Sequence, residues 1–175
     1  MNFDLQPTDL KNEFVTLVPL AESDFERLYK VASDPLIWEQ HPHNDRYKPA
    51  VFQQFFREAM ESGGAFAVID RATGRIIGSS RYFGYDEERS EIEIGWTFLA
   101  RACWGGAYNG DLKQLMLQHA FQFVDSVVFR VGPANRRSQR AMEKIGGVRL
   151  PGLHYARGHD AVVFQVKKAH AHFPD

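Results

Sequence analysis

The sequence predicts a single domain with an α/β fold in which helices cover a mixed sheet, and two observations support this prediction. About seven strand-like segments and about four helix-like segments follow one another irregularly, so that helices separate some neighbouring strands but not others. The chain has 175 residues, of which 44% are hydrophobic and 25% charged. This length predicts one domain over residues 1–175, and the composition is ordinary for a globular protein with a sizeable core.

The first part of the chain predicts one strand followed by two helices. Residues 14–20 are mostly apolar and end near a proline, as short strands do. The first helix is predicted to begin at Ser23, because Ser23 and Glu26 have the spacing of a capping box. The second helix is predicted between Pro49, which suits a first helical turn, and Gly63.

Three strands are predicted after the second helix. Residues 65–70 and 75–83 flank the turn signal Ala72-Thr73-Gly74 and therefore predict a hairpin. Residues 90–99 predict another strand, along which successive side chains alternate between the two faces. The residues expected to share one of its faces are Ile92, Ile94 and Trp96.

The last part of the chain alternates helices and strands. Residues 109–124 have the apolar spacing of a long amphipathic helix. A short apolar strand is predicted at 127–131, and a short helix closed by two glycines at 135–145. Residues 148–155 and 161–167 then predict a final hairpin.

Charge and cysteine content argue against several classes of protein. Lys and Arg number 21 against 22 Asp and Glu, a net charge of −1, whereas nonspecific nucleic-acid binding needs a clear basic excess. Cys103 is the only cysteine, so no disulfide can form within the chain. Residues 1–10 do not resemble a signal peptide, and no stretch approaches the ~18 apolar residues of a membrane span. We therefore expect a cytoplasmic protein whose partners include neither nucleic acid nor a membrane.

The glycine-rich turn at residues 104–110, Trp-Gly-Gly-Ala-Tyr-Asn-Gly, carries the strongest chemical signal. Its small residues leave backbone N–H groups uncovered, and the start of the following helix adds a partial positive charge of about +0.5. Such a turn favours an anion such as phosphate or pyrophosphate. It lacks the Gly-Lys-Ser/Thr triplet of NTPase loops and follows the fourth strand, unlike a dinucleotide fingerprint. A nucleotide-binding α/β protein stays open as an alternative.

Three motifs occur in a fixed order around this turn. They are Glu93-Ile94-Gly95-Trp96, the segment from Trp104 to Asp111, and Asn135-Arg136-Arg137-Ser138 before the pair Gly146-Gly147. In this order and spacing they resemble the GNAT superfamily of N-acetyltransferases, within it the ribosomal-protein N-terminal acetyltransferase-like branch. The resemblance covers essentially the whole chain and implies a GNAT fold with a mostly antiparallel central sheet.

This resemblance implies an enzyme that moves an acetyl group from the cosubstrate acetyl-CoA to a primary amine. No metal is expected, because no pair of histidines has the i, i+4 helical spacing of a zinc enzyme. The acceptor is either a protein N-terminus or a small molecule. No motif in residues 38–48 indicates which of the two classes it is. The strand after Glu93, the turn and the Asn135 helix would hold the pantetheine arm and the pyrophosphate. The cofactor-binding residues implied in this way are Thr97, Phe98, Leu99, Trp104, Gly105, Gly106, Ala107, Tyr108, Asn109, Asn135 and Ser138.

Such a reaction needs a base, because a free alkylamine has a pKa near about 10. Glu91 and Glu93 lie two residues apart on one strand and therefore share a face. Glu93 matches the family's Glu-Ile-Gly position and is the preferred base, with Glu91 or a water as alternatives. Ser138 is the candidate catalytic proton donor or hydrogen-bond partner for the CoA sulfur. Met142 stands where many family members have a donating tyrosine, and it cannot donate a proton.

Met142, the loop between the first two helices and Cys103 each carry a further expectation. Met142 keeps open a second function, a catalytically idle acyl-CoA-binding or sensor module on the same fold. His41, His43 and Arg46 are expected to border the acceptor pocket, because the loop between the first two helices does so in this fold. Cys103 is expected to be a small packing residue rather than a nucleophile. Related proteins are often dimers, so a homodimer is one candidate state.

Overall fold

The computed structural model describes residues 2–173, in which one sheet runs through the centre of the molecule. The α-helices of these residues are Phe25–Ala32 (α1), Pro49–Ser62 (α2), Ala107–Ala120 (α3) and Arg136–Lys144 (α4). Their strands are Leu10–Lys11 (β1), Val15–Pro19 (β2), Ala65–Asp70 (β3), Ile76–Asp86 (β4), Glu91–Leu99 (β5), Ser126–Val131 (β6), Val148–Arg149 (β7), His154–Ala156 (β8) and His159–Lys167 (β9).

The strands are ordered β1-β2-β3-β4-β5-β6-β9-β7, and β8 pairs with β9 outside this path. Every neighbouring pair is antiparallel except β5 and β6, which run parallel. Helix α3 forms the crossover between these two strands. The predicted α/β fold with a mixed, mostly antiparallel sheet and four helices is therefore confirmed.

Within the described residues the sheet has nine strands rather than about seven, for two reasons. The two-residue strand β1 is too short to show a sequence pattern, and it pairs with β2 at one edge. The segment predicted as one strand, 148–155, is divided into β7 and β8 because Pro151 and Gly152, whose φ is +78°, interrupt it. The predicted final hairpin persists, since both pieces pair with β9.

The chain enters α1 differently from the prediction. A 3-10 turn, Glu22–Asp24, precedes the helix, and the Oδ2 atom of Asp24 accepts the backbone N–H of Ala21 at 2.9 Å. The N–H of Asp24 in turn donates to the carbonyl of Ala21 at 2.9 Å. The predicted capping box of Ser23 and Glu26 is therefore wrong, because the reciprocal contact forms two residues earlier.

Two hydrophobic cores lie on the two faces of the sheet. On one face, aromatic side chains of α2 such as Phe52 and Phe55 pack with Trp38 and Phe98. On the other face, α3 packs against β5, β6 and β9. Neighbouring residues of β3 confirm this division, because Ala67 belongs to the first core and Val68 to the second. The two cores hold β5 firmly between helix layers.

A β-bulge in β5 reverses the side that Trp96 faces. Arg81 pairs with Gly95 and Ser79 with Phe98, so β5 contains one more residue than β4 across this stretch. The φ of Trp96 is +54°, a left-handed conformation that turns its ring toward the α2 side. The expectation that Trp96 shares a face with Ile92 and Ile94 is therefore wrong, because the alternation breaks at the bulge.

No helix within residues 2–173 combines the length and the hydropathy needed to cross a bilayer.

Candidate active site

Strands β5 and β6 diverge in the middle of the sheet. Their parallel register runs from Glu91 opposite Ser126 to Glu93 opposite Val128 and goes no further. Past Glu93, β5 continues on its other side with β4, where Phe98 pairs with Ser79. The edge of β5 beyond Glu93 that faces β6 thus has no paired strand among residues 2–173, and Thr97, Phe98 and Leu99 lie on it.

The turn at residues 104–106 leads directly into the N-terminus of α3. The indole Nε1 of Trp104 donates to the carbonyl of Leu99 at 3.0 Å, which fixes the turn to the end of β5. Gly105 has a φ of +74°, and a Cβ added to Gly105 or Gly106 would meet no atom within 4 Å. The space in front of the turn is therefore open.

Helix α3 begins at Ala107, two residues before the predicted start at residue 109. Ala107, Tyr108 and Asn109 are consequently its first three residues, whose N–H groups have no intrahelical partner. No side chain caps them, since Gly106 holds the N-cap position. The hydroxyl of Tyr108 instead donates to Asp70 at 3.2 Å. The backbone donors predicted for the pyrophosphate are thus assembled at one helix end.

Lys113 is a buried cation close to the open edge of β5, and it was not predicted. Its side chain is 5% exposed, and its Nζ donates to Thr97 Oγ1 at 3.2 Å. The same Nζ lies 5.2 Å from the centre of the Phe129 ring of β6. Burial lowers the pKa of Lys113 to about 8. The signal was present in the sequence, because residue 113 is three positions before Met116 on the apolar side of the helix.

Helix α4 begins where β6 ends. The Oδ1 atom of Asn135 accepts the backbone N–H of Ser138 at 3.3 Å, so Asn135 is the N-cap of α4. The hydroxyl of the half-buried Ser138 has no hydrogen-bond partner among residues 2–173. Met142 is 3% exposed and packs in the α3 core, away from solvent. Arg137 covers the ring of Trp104 at 3.5 Å and so links α4 to the turn.

The two candidate bases have different surroundings although both belong to β5. Glu93, 6% exposed, accepts two hydrogen bonds from Arg157, at 2.7 Å to Oε1 and 3.0 Å to Oε2. Gly95 leaves room for this carboxylate, since a Cβ there would lie 3.2 Å from Glu93 Oε2. Glu91 is bonded through Oε2 to Ser126 at 3.1 Å and to Gln165 at 3.0 Å. Only Glu93 lines the cavity described next.

A cavity of about 50 Å³ opens beside Glu93, between the loop that follows α1, the end of β6 and the β8–β9 turn. The structure brings His41, His43 and Arg46 to its wall, as the sequence predicted for a pocket. Burial and the neighbouring Arg46 lower the pKa of His41 to about 3, so its ring is neutral. Burial also lowers the pKa of His43, whose ring meets that of His159 at 4.9 Å. The positive charge of the wall therefore comes from arginines.

Arg157 was not predicted, because its position depends on a tight turn. Arg157 and Gly158 have φ values of 57° and 83° and connect β8 to β9. Two successive positive φ values are typical of a type I′ hairpin, in which a non-glycine residue carries a strain of about 1 kcal/mol or more. This conformation brings the guanidinium of Arg157 onto Glu93 and 4.3 Å above the Trp96 ring.

Arg81 is a second unpredicted cation, and it contacts the same Trp96 ring as Arg157. It is 4% exposed, and its guanidinium carbon lies 4.2 Å from the centre of the Trp96 ring. Its Nε and Nη2 atoms have no hydrogen-bond partner among residues 2–173. Burial lowers the pKa of Arg81 to about 10, a value that still leaves it charged at neutral pH. The alternation of residues along the strand does not indicate whether Arg81 is buried or exposed, so its burial could not be predicted from the sequence.

Cys103 is half-buried beside the turn and packs against the α3 core, as predicted. Burial and the nearby Asp70 raise the pKa of its thiol, which disfavours the reactive thiolate. Among residues 2–173 no group of three His, Cys, Asp or Glu side chains is placed to hold a metal ion.

Comparison with known proteins identifies the family. The family described as "Acetyltransferase (GNAT) domain" matches residues 15–148. A crystal structure named as an acetyltransferase is 26% identical, covers 94% of this chain and 88% of its own, and superposes with a TM-score of 0.80. One from T. thermophilus, also named as an acetyltransferase, is 26% identical with a TM-score of 0.76, covering 94% of this chain and 91% of its own.

A structure from Vibrio cholerae, named for a ribosomal-protein-serine acetyltransferase, is 14% identical and has a TM-score of 0.76. The match covers 95% of this chain and 99% of the Vibrio chain. At this identity the likeness extends to the fold and no further.

Proposed function

Because the chain belongs to the GNAT acetyltransferase family, we propose that it transfers an acetyl group from acetyl-CoA to a primary amine by direct attack. The divergence of β5 from β6 at Glu93 carries this proposal. It leaves an open strand edge on one side and a carboxylate beside a cavity on the other, so that both reactants can meet in the gap. The family uses acetyl-CoA, which supplies its acetyl group as an activated thioester.

The residues on the cofactor side fit this cosubstrate. The uncovered N–H groups of Ala107, Tyr108 and Asn109 suit a pyrophosphate, and the space in front of Gly105 and Gly106 lets it approach. The open edge of β5 offers backbone groups at 97–99 to an extended amide-containing arm, as in strand addition. These residues are the proposed acetyl-CoA site, together with Trp104, Asn135 and Ser138.

Glu93 is the proposed base. The attacking nitrogen must lose a proton, and Glu93 is the carboxylate that lines the cavity, whereas Glu91 is turned to Ser126 and Gln165. Arg157 holds the Glu93 carboxylate in a fixed orientation, and each oxygen retains a further lone pair for an amine or a bridging water. Ser138 is the proposed donor to the departing sulfur, because Met142 is buried in the core and has no proton to give.

The motifs at Glu93, Trp104 and Asn135 support the ribosomal-protein N-terminal acetyltransferase-like branch, and this finer assignment is part of the proposal. The acceptor is a protein N-terminus or a small amine. Nucleic acid and membranes are not proposed as partners, and a homodimer is the proposed assembly on the resemblance alone.

A direct assay tests the proposal. The purified protein is incubated with acetyl-CoA and a panel of amines, and release of free CoA thiol is followed together with the mass of the amine. We expect one acetamide for each thiol released, and we expect Glu93→Gln to abolish most of the signal. Tight binding of acetyl-CoA with no turnover on any amine would instead support the idle acyl-CoA-binding module, and stabilisation by ATP or NAD but not by CoA would support the nucleotide-binding alternative.

A further inference from the structure

The charges around the cavity beside Glu93 do not balance. Arg46, Arg130 and Arg157 all line it, whereas Glu93 is the one carboxylate among the described lining residues. That carboxylate is already engaged by two hydrogen bonds from Arg157. The cavity wall therefore carries cationic groups that no protein carboxylate on the wall neutralises.

Arg46 illustrates this excess. No carboxylate of residues 2–173 lies within salt-bridge distance of its guanidinium, although Asp45 and Glu58 attract it from farther away. Its nearest polar contact is His41 Nε2 at 3.3 Å, on a ring that is neutral. Burial and the charge of Arg81 lower the pKa of Arg46 to about 10, so it remains a cation at neutral pH.

Aromatic rings, rather than carboxylates, pack against most of the arginines in and around the cavity. The centre of the Phe55 ring lies 4.9 Å from the guanidinium carbon of Arg46 and 5.7 Å from that of Arg81. The centre of the Trp96 ring lies 4.2 Å from the guanidinium carbon of Arg81 and 4.3 Å from that of Arg157. The faces of the rings attract cations without neutralising their charge, and Arg81, which contacts Trp96 but does not itself line the cavity, adds a further buried positive charge behind that ring. Such an array favours an anion that arrives from outside.

We propose that this cationic cavity binds a carboxylate of the acceptor, so that the acceptor is a small amine that also carries a carboxylate. The inference rests on the proposed function and narrows its substrate class to amino acids and their conjugates. With the carboxylate against Arg46 and Arg130, the amine of the same molecule lies next to Glu93, which lines the same small space. Polyamines and cationic antibiotics meet like charges here and are disfavoured. The volume of about 50 Å³ is several times that needed for one water, about 10–15 Å³, and suits a single small anionic group.

Matched acceptors test the proposal. Free amino acids are compared with their C-terminal amides, with the corresponding decarboxylated amines, with spermidine and with phosphoethanolamine, and kcat/KM is measured by CoA release. We expect the free carboxylates to be favoured about 10- to 100-fold over the amides, as for a charge-assisted hydrogen bond. Equal kcat/KM for carboxylates and amides would overturn the proposal. A preference for phosphoethanolamine over every carboxylate would overturn the assignment of the anion as a carboxylate.

Two arginine variants test which residues cause the preference for free carboxylates over amides. Arg46→Gln removes the half-buried cation, and Arg130→Gln removes one that is exposed, so the second variant retains the fold even if the first does not. Each is expected to reduce kcat/KM for the free amino acid about tenfold or more while changing that for the amide little. Arg75→Gln, in the exposed turn before β4, is the control and should change neither. Equal losses for amino acid and amide would contradict the anion site.

A binding measurement separates this inference from acetyl transfer itself. The CoA-loaded protein is titrated with N-acetylglutamate and with the diamide of N-acetylglutamate. Binding of the first that weakens in Arg130→Gln, together with no turnover of any amine, would support the carboxylate site while acetyl transfer fails. Acetylation of amines without preference for carboxylates, together with no binding of N-acetylglutamate, would support acetyl transfer and overturn the carboxylate site.

Discussion

The two sides of the proposed site attract anions by different means. The cofactor side, formed by residues 97–109 and the start of α4, relies on backbone N–H groups at the end of α3. The acceptor side, formed by the cavity beside Glu93, relies on guanidinium groups from separate segments. A net charge of −1 describes neither side, because backbone dipoles carry no formal charge and the acceptor-side arginines are a small share of 21 basic residues.

The difference also explains what each side can tolerate. The donors on the cofactor side are backbone N–H groups fixed by α3. A substitution there can therefore act only by covering these N–H groups with a side chain. Donors on the acceptor side are long side chains held by aromatic rings, a turn and one carboxylate, so a substitution acts by removing charge or by moving a segment.

The largest effect is expected for Glu93→Gln. Glutamine keeps the shape of the side chain but cannot accept the amine proton, so kcat should fall about 100- to 10,000-fold. The KM for acetyl-CoA should change little, because Glu93 faces the cavity rather than the turn at residues 104–106. Steady-state kinetics of CoA release measure both quantities.

Glu91→Gln is the matched control for this variant. Glu91 lies two residues away on the same strand, and its carboxylate bonds to Ser126 and Gln165 outside the cavity. We expect kcat to stay within about threefold of the wild type. A large loss in Glu91→Gln together with normal turnover in Glu93→Gln would reverse the assignment of the base.

Lys113→Met tests the buried cation on the cofactor side. Burial lowers the pKa of Lys113 from 10.5 to about 8, so the charged form of Lys113 destabilises the folded state relative to the unfolded chain. The cost is complete below pH 8, falls as the pH rises from 8 to 10.5, and disappears above pH 10.5, where neither state binds the proton. Methionine fills the space of the stem without the charge, so the variant should be more stable than the wild type at pH 7 by about 3 kcal/mol.

Denaturant unfolding at several pH values measures this effect. The wild type should gain stability between pH 8 and pH 10.5 relative to Lys113→Met, and the two should converge at the upper end. A difference between the two proteins that stays constant over this range would show that Lys113 does not carry a buried charge.

The contrast between the two sides also decides what the sequence could predict. The strands, the helices and the cofactor side are coded by local patterns, such as the apolar period of α3 and the small residues at 105–107, which can be interpreted without knowing the fold. Arg81 and Arg157 have no local pattern. Arg81 contacts the Trp96 ring, which a bulge in β5 turns to its side, and Arg157 is placed by two left-handed residues in a turn, so the positions of both depend on pairing between strands.

Smaller effects are expected from the turn glycines. Gly106→Ala places a methyl group in front of the α3 N-terminus, where it meets no protein atom within 4 Å. The fold should persist with a loss of less than about 1 kcal/mol in stability, because alanine is a poorer N-cap than glycine, whereas the KM for acetyl-CoA should rise about tenfold because an approaching anion loses close contact with the N–H groups. Thermal unfolding and acetyl-CoA kinetics distinguish the two properties.

Gly105→Ala is the informative partner of Gly106→Ala. Gly105 has a φ of +74°, so alanine there is strained although space is available. We expect a loss of about 1–2 kcal/mol in stability, larger than the loss in Gly106→Ala. Equal stability of the two variants, with unchanged acetyl-CoA kinetics, would contradict a cofactor site at this turn.

The smallest effect is expected from Gly132→Ala at the end of β6, on the acceptor side. A Cβ at this position would lie 2.6 Å from the Cγ and Cδ atoms of Pro42, a contact that the ring cannot avoid by rotating. The segment carrying His41 and His43 must therefore move away from the cavity wall. The KM for the acceptor should rise about fivefold while that for acetyl-CoA stays unchanged, a change that corresponds to about 1 kcal/mol.

A second substitution tests the cause of that change. Pro42→Ala removes both ring atoms that the new methyl group would strike, so the double variant should regain most of the acceptor affinity that Gly132→Ala loses. The coupling between the two positions, measured as a double-mutant cycle on the acceptor KM, should nearly cancel the single effect of Gly132→Ala. Additive losses would mean that Gly132 acts through β6 itself. Recovery would show that the position of one loop, set by a single close approach, controls the acceptor side without reaching the cofactor side.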